Sequence, residues 1–167
     1  MQKLHIIGLG LLGGSFALAA KNKFENLVIT GYDSSEKNLE DALNLGIIQE
    51  AKEAPDADTD IVILATPADT LSDLLLKTLD QIGENTLVFD VGSTKAKLCT
   101  LVADHPKRKQ YLAAHPIAGT EYSGPNAAFA GLLDRKVTII CELEKTDLQL
   151  KEKAYELFDA LNLKLRF

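Results

Sequence analysis

The amino-acid sequence predicts an α/β fold, a doubly wound and mainly parallel sheet with helices on both faces. Three observations carry this expectation. Short apolar runs alternate with segments of helical periodicity from one end of the chain to the other. Residues 60–65 (DIVILA) and 86–91 are almost continuously apolar, as strands covered on both faces are. The 167 residues are 46% hydrophobic and 25% charged, enough for one domain with a real core, and they hold no internal repeat or Pro/Gly/Ser linker.

The elements follow in order. Residues 3–7 form a β-prone run that stops at glycine, and residues 12–21 read as a helix with small residues at close-packing positions. A second strand, 27–32, ends at Asp33-Ser34-Ser35, where Ser35 can N-cap a helix running to Gly46. Gly46-Ile47-Ile48 starts a short third strand. After the strand at 60–65, Pro67 opens a helix with the apolar stripe Leu71, Leu74, Leu75, Leu79 and Ile82. The strand at 86–91, a helix at 94–103 and a sixth strand at 111–114 come next, followed by His115-Pro116. Residues 119–133 read as a loop turning weakly helical. Residues 136–141 alternate as a strand, 147–161 form an amphipathic helix, and 163–167 close the sheet.

Composition excludes several functions. Lys+Arg 18 against Asp+Glu 24 leaves a net charge of −6, which argues against a binder of nucleic-acid backbones. Cys99 and Cys141 form no CxxC pair, and His5, His105 and His115 show no metal-ligand spacing, so no metal site is expected. No apolar run approaches the roughly 18 residues that span a bilayer, so no membrane partner is expected. Lys3 followed by residues 6–20, with Ala17-Leu18-Ala19, imitates a secretory leader. The glycines within that run stand at structured spacings, and the reading adopted is a cytoplasmic protein with reduced thiols.

Gly8-Leu9-Gly10-Leu11-Leu12-Gly13 has the form G-x-G-x-x-G. It follows a predicted strand, opens a predicted helix, and is succeeded by Asp33, 20 residues beyond Gly13, at the tip of the second strand. Gly8 suits the tight turn, Gly10 lets a diphosphate approach the backbone, and Gly13 allows close helix–strand packing. The helix start at Leu11 and Leu12 offers unpaired N–H groups to an anion. The Asp33 carboxylate can accept both ribose hydroxyls and repels a 2′-phosphate, which favours NAD over NADP. This is the signature of a Rossmann-type NAD site. Thr66-Pro67, ending the fourth strand on the same sheet edge, is placed beside the adenosine or serves as a helix start.

The same edge rule sends Gly92-Ser93-Thr94-Lys95 and His115 toward the nicotinamide half. An imidazole can take a proton near neutrality, and the Ser93 hydroxyl can orient it or bind the same substrate oxygen. His105 is read as a surface-loop residue and His5 as a satisfied structural histidine.

Three segments resemble the nucleotide-binding domain of the prephenate/arogenate dehydrogenase family: residues 8–15 (GLGLLGGS), 90–97 (DVGSTKAK) and 115–124 (HPIAGTEYSG). The last is the most specific, since the fold itself does not demand it. The resemblance implies that residues 1–167 are one NAD-binding Rossmann domain. It implies that His115 engages the substrate hydroxyl with help from Ser93. Gly119, Thr120 and Glu121 would help form the substrate pocket. The implied reaction is NAD-dependent oxidative decarboxylation of prephenate or arogenate in tyrosine biosynthesis. The family's second, mostly helical domain, which carries the substrate-carboxylate arginine and makes the homodimer, has no counterpart in residues 1–167. The chain alone is therefore expected to bind NAD and to turn over slowly or not at all. Two other readings fit the residues, a dehydrogenase of another small acid and a non-catalytic NAD-binding module.

Overall fold

The computed structural model describes residues 1–167. In chain order the elements are β1 (Lys3–Ile7), α1 (Leu11–Lys21), β2 (Val28–Tyr32), α2 (Glu36–Asn44), β3 (Glu50–Ala51) and β4 (Ile61–Leu64). They continue with α3 (Leu71–Gln81), β5 (Leu87–Asp90), α4 (Ala96–Leu101), β6 (Tyr111–Pro116), β7 (Val137–Cys141), α5 (Leu148–Ala160) and β8 (Lys164–Arg166). The eight strands form one sheet in the order β3-β2-β1-β4-β5-β6-β7-β8. Only the β6–β7 pair is antiparallel. The predicted doubly wound, mainly parallel sheet is the one found.

Period-two alternation splits the core between the two faces. Leu4, Ile6, Ile63, Phe89 and Leu112 face α1 and α5, where Phe89 lies edge-on between Phe16 (5.7 Å) and Phe158 (5.2 Å). Ile7, Val62, Leu64 and Val88 face Leu71, Leu75 and Leu79 of α3 and Leu98 of α4. Each such side chain, fully buried, contributes about 1.5–3 kcal/mol. With both faces covered, only the strand ends remain for function. The chain winds from β1 toward β2 on one side and then crosses to β4 on the other, which opens a crevice beyond the carboxyl ends of β1 and β4.

Three boundaries differ from expectation. Ile47 and Ile48 are buried, but they belong to the turn leaving α2, with both N–H groups directed to Ala42 O. The β2–β3 pairing falls at Glu50–Ala51 instead. Apolar character there marks burial and not strand pairing. Helix α3 starts at Leu71 and not at Pro67, because the Thr70 N–H and hydroxyl both close a turn onto Pro67 O (3.1 and 2.8 Å). Helix α4 is shorter than residues 94–103. Ser35 caps α2 as expected, accepting from Asn38 N at 3.2 Å. The loop at 119–133 turns into two short 3-10 segments, Pro125–Ala127 and Ala130–Leu133. No helix is long and apolar enough to cross a membrane.

Candidate nucleotide cleft and catalytic edge

The crevice at the switch point is a cleft of about 660 Å³. Gly8, Gly10 and Leu11 form its floor, Asp33, Ser34, Ser35 and Asn38 one wall, and Thr66, Pro67 and Thr70 the other. Its far end reaches Glu53 and Lys77, which pair at 3.0 Å, and Ser123 and Gly124 also line it.

The glycine loop has a physical reason at each position. Gly8 adopts φ +95°, and a Cβ there would stand 2.5 Å from Ala65 O at the end of β4. A Cβ on Gly13 would overlap the Gly8 carbonyl. Gly10, by contrast, has nothing within 4 Å of where its Cβ would be and leaves the cleft open. No side chain caps α1, and the N–H groups of Leu11, Leu12 and Gly13 have no partner in the protein. They form a positive terminus beside the cleft.

Leu9 plays a different part from its neighbours. Its side chain is fully buried, and its N–H donates to Asp33 Oδ2 at 2.8 Å. Asp33 Oδ1 accepts from Ser35 N at 2.9 Å and, more distantly, from Asn38 Nδ2 at 3.5 Å. The carboxylate is thereby fixed in rotamer while it lines the cleft.

His115 and Ser93 lie outside this cleft. His115 is half-buried near the end of β6, with Nδ1 3.4 Å from Val91 O. Ser93 is exposed two residues further along that same β5 extension, and no hydrogen bond joins it to His115. Gly119, Thr120 and Glu121 are exposed in the loop that follows His115. The predicted residues thus fall into two groups along one sheet edge, the nucleotide cleft over β1, β2 and β4 and a histidine–serine pair of segments over β5 and β6.

Sequence reasoning missed the buried group beneath the second site. Lys95 was expected to face the nicotinamide. It forms instead an ion pair with fully buried Asp90, which also accepts from Tyr111 Oη (2.7 Å) and Gly92 N (3.0 Å). Burial lowers the Lys95 pKa against the opposing pull of Asp90, and burial followed by the Asp90 charge raises that of Tyr111. An aspartate closing an apolar strand, five residues before a lysine, was the available signal. His5 is structural as expected but only half satisfied: Nδ1 meets Thr30 Oγ1 at 2.7 Å, while Nε2 has no partner. His105 sits in a loop, bonded to Asp80 and Lys107 N.

A doubly wound sheet with its cleft at this switch point is a Rossmann-type nucleotide-binding domain. Residues 16–166 match the family described as prephenate dehydrogenase, nucleotide-binding domain, and the chain belongs to it. The matched span starts after the glycine loop, but the similarity of whole relatives extends over nearly all of the chain. It is 37% identical over 166 residues to the prephenate dehydrogenase of Bacillus subtilis, covering 94% of this chain and 44% of that protein. It is 31% identical to the cyclohexadienyl dehydrogenase of Zymomonas mobilis, covering 83% of this chain and 48% of the relative. The chain spans about half the length of these curated relatives. Among solved structures, prephenate dehydrogenase from A. aeolicus in complex with hydroxyphenyl propionate and NAD+ superimposes with a TM-score of 0.89 at 30% identity, over 99% of this chain and 59% of that one. Synechocystis arogenate dehydrogenase, at 22% identity, shares the fold with a TM-score of 0.87, over 99% of this chain and 59% of that one.

Proposed function

We propose that the cleft binds NAD and that residues 1–167 are the cofactor-binding domain of an enzyme that oxidatively decarboxylates prephenate or arogenate on the route to tyrosine. The observation that carries this reading is the Asp33 carboxylate, clamped at the end of β2 beside an uncapped helix start. The residues fit the dinucleotide. The open space at Gly10 and the free N–H groups of Leu11, Leu12 and Gly13 suit a diphosphate. Asp33 suits the ribose diol and opposes a 2′-phosphate, and Thr66 and Pro67 flank the adenosine side.

When bound, NAD supplies the acceptor for the hydride that leaves the ring carbon bearing the substrate hydroxyl. His115 takes the hydroxyl proton. With Nδ1–H turned to Val91 O, its Nε2 lone pair is the one left free for the substrate. Ser93 orients the same hydroxyl, and Gly119, Thr120 and Glu121 wall the substrate side. Loss of the ring carboxylate as CO₂ makes the ring aromatic, so the protein's work is positioning and polarising one O–H bond. As a biosynthetic enzyme it is assigned to the cytoplasm.

The substrate carboxylates need cationic partners, and Arg108 is committed to Glu142 and to Tyr111 O. The 167-residue chain is accordingly expected to bind NAD yet reduce it slowly with prephenate, and homodimer formation is assigned to a further helical domain. Calorimetric titration of the chain with NAD and NADP tests the reading. Binding of NAD at least about tenfold tighter than NADP is expected, and no measurable binding of either overturns it. In a chain carrying the second domain, His115→Asn should abolish turnover and leave NAD affinity nearly unchanged.

A further inference from the structure

The loop after β6 reaches both halves of the sheet edge. It leaves the sheet just beyond His115, where Ile117 N donates to Val137 O at 2.7 Å. It is tied down again at Asn126, whose Nδ2 donates to Asp41 Oδ2 of α2 at 2.8 Å, and at Phe129, whose N–H donates to Ser15 Oγ of α1 at 3.1 Å. Between these anchors residues 119–123 are exposed, and the hydrogen bond they make stays inside the loop (Tyr122 N to Thr120 Oγ1, 3.2 Å). The near end of the segment, Gly119 to Glu121, follows the histidine. The far end, Ser123 and Gly124, lines the same cleft as Gly10 and Leu11, with Gly124 beside Asn38. Gly124 holds φ +81°, which turns the chain back along α2.

From this we infer that Ser123 is a binding residue for the diphosphate–ribose part of the nucleotide, and that residues 119–124 are a strap through which a bound nucleotide orders the substrate side of the loop. The inference rests on the cleft being the dinucleotide site. The Ser123 hydroxyl and the free amides at the start of α1 border one cleft, where a single anion can take bonds from both, and a hydrogen bond to a charged oxygen outweighs a neutral one. The middle of the strap has no other ties, so an anion held at its far end removes freedom from the whole segment, including Thr120 and Glu121.

The test uses the 167-residue chain with NAD, ADP and adenosine as probes. Ser123→Ala should weaken NAD and ADP about three- to tenfold, and Ser123→Asp more than about tenfold, with adenosine changed less than about twofold. Melting temperatures of the unliganded variants should stay close to that of the parent chain, since Ser123 is exposed and bonded to nothing. ADP should also slow amide hydrogen exchange across residues 119–124 in the parent chain and not in Ser123→Asp. Parent-level ADP affinity in both variants, or exchange in the strap that ignores ADP, overturns the inference and leaves the cleft assignment standing. Failure of the parent chain to bind NAD and ADP overturns both.

Discussion

Asp33 Oδ2 accepts the backbone N–H of Leu9 at 2.8 Å, so the residue that terminates β2 also clasps the glycine loop that terminates β1. With Ser35 N on its other oxygen, the carboxylate has a single orientation before any nucleotide arrives. Asp33→Ser should therefore do two things. Loss of charge-assisted bonds of about 1.5–3 kcal/mol should weaken NAD by tenfold or more, and removing the negative charge should narrow the preference over NADP. Calorimetry with both nucleotides measures this; an unchanged NAD/NADP ratio would refute the role.

Gly10 and Gly13 should separate binding from folding. Gly13→Ala drives a methyl group onto the Gly8 carbonyl and should cost about 1–3 kcal/mol in urea unfolding. Gly10→Ala meets open space, so stability should hold or rise slightly while NAD affinity falls, because the methyl occupies the approach to the diphosphate. The reverse pattern would contradict the assigned roles.

The Lys95–Asp90 pair supports the segment that carries Ser93, through Gly92 N on the same carboxylate. Lys95→Met leaves a buried carboxylate with Tyr111 and Gly92 as its only donors and should destabilise the fold by about 3–5 kcal/mol. The double replacement Lys95→Met with Asp90→Asn should recover part of that loss. Additive effects in a double-mutant cycle by chemical denaturation would show the two side chains to be uncoupled.

His5 makes folding depend on pH. Burial lowers its pKa from 6.5 to about 4, outweighing an upward pull from Asp56, with Lys52 adding a smaller downward push. The unfolded chain then takes up the proton more readily than the folded one. The stability tied to a neutral ring is complete above pH 6.5 and drains away as pH falls toward 4, on the order of 3 kcal/mol in all. Unfolding free energies measured across that window should fall more steeply for the parent chain than for His5→Gln. Parallel curves would exclude His5 as the source. Carboxylates held low overall add their own losses at more acidic pH, such as Asp60, where the upward push of burial is outweighed by two backbone donors and Lys153 together.

Much of the nucleotide cleft was readable in the linear chain because its parts are local or regularly spaced. A strand, three glycines, a helix and an acidic residue 20 positions on describe one continuous βαβ unit, in which Gly13 is required by the Gly8 carbonyl of the same loop. The helix cap at Ser35 was readable for the same reason, since capping acts over three residues. Boundaries failed where apolar character and pairing part company, as at Ile47 and Ile48.

The alternation of strands and helices, the site edge and the fingerprint follow from periodicity and from the steric demands of single residues, which any chain displays in one dimension. The Asp90–Lys95–Tyr111 group, the unpaired Nε2 of His5 and the reach of Ser123 into a cleft built by β1 and β2 do not. These depend on which side chains are brought together across neighbouring strands and loops, often by more than twenty residues of separation. Whether a polar group is satisfied or left open to a ligand is decided only once its surroundings close around it, because desolvation and hydrogen bonding are properties of the packed neighbourhood and not of the residue.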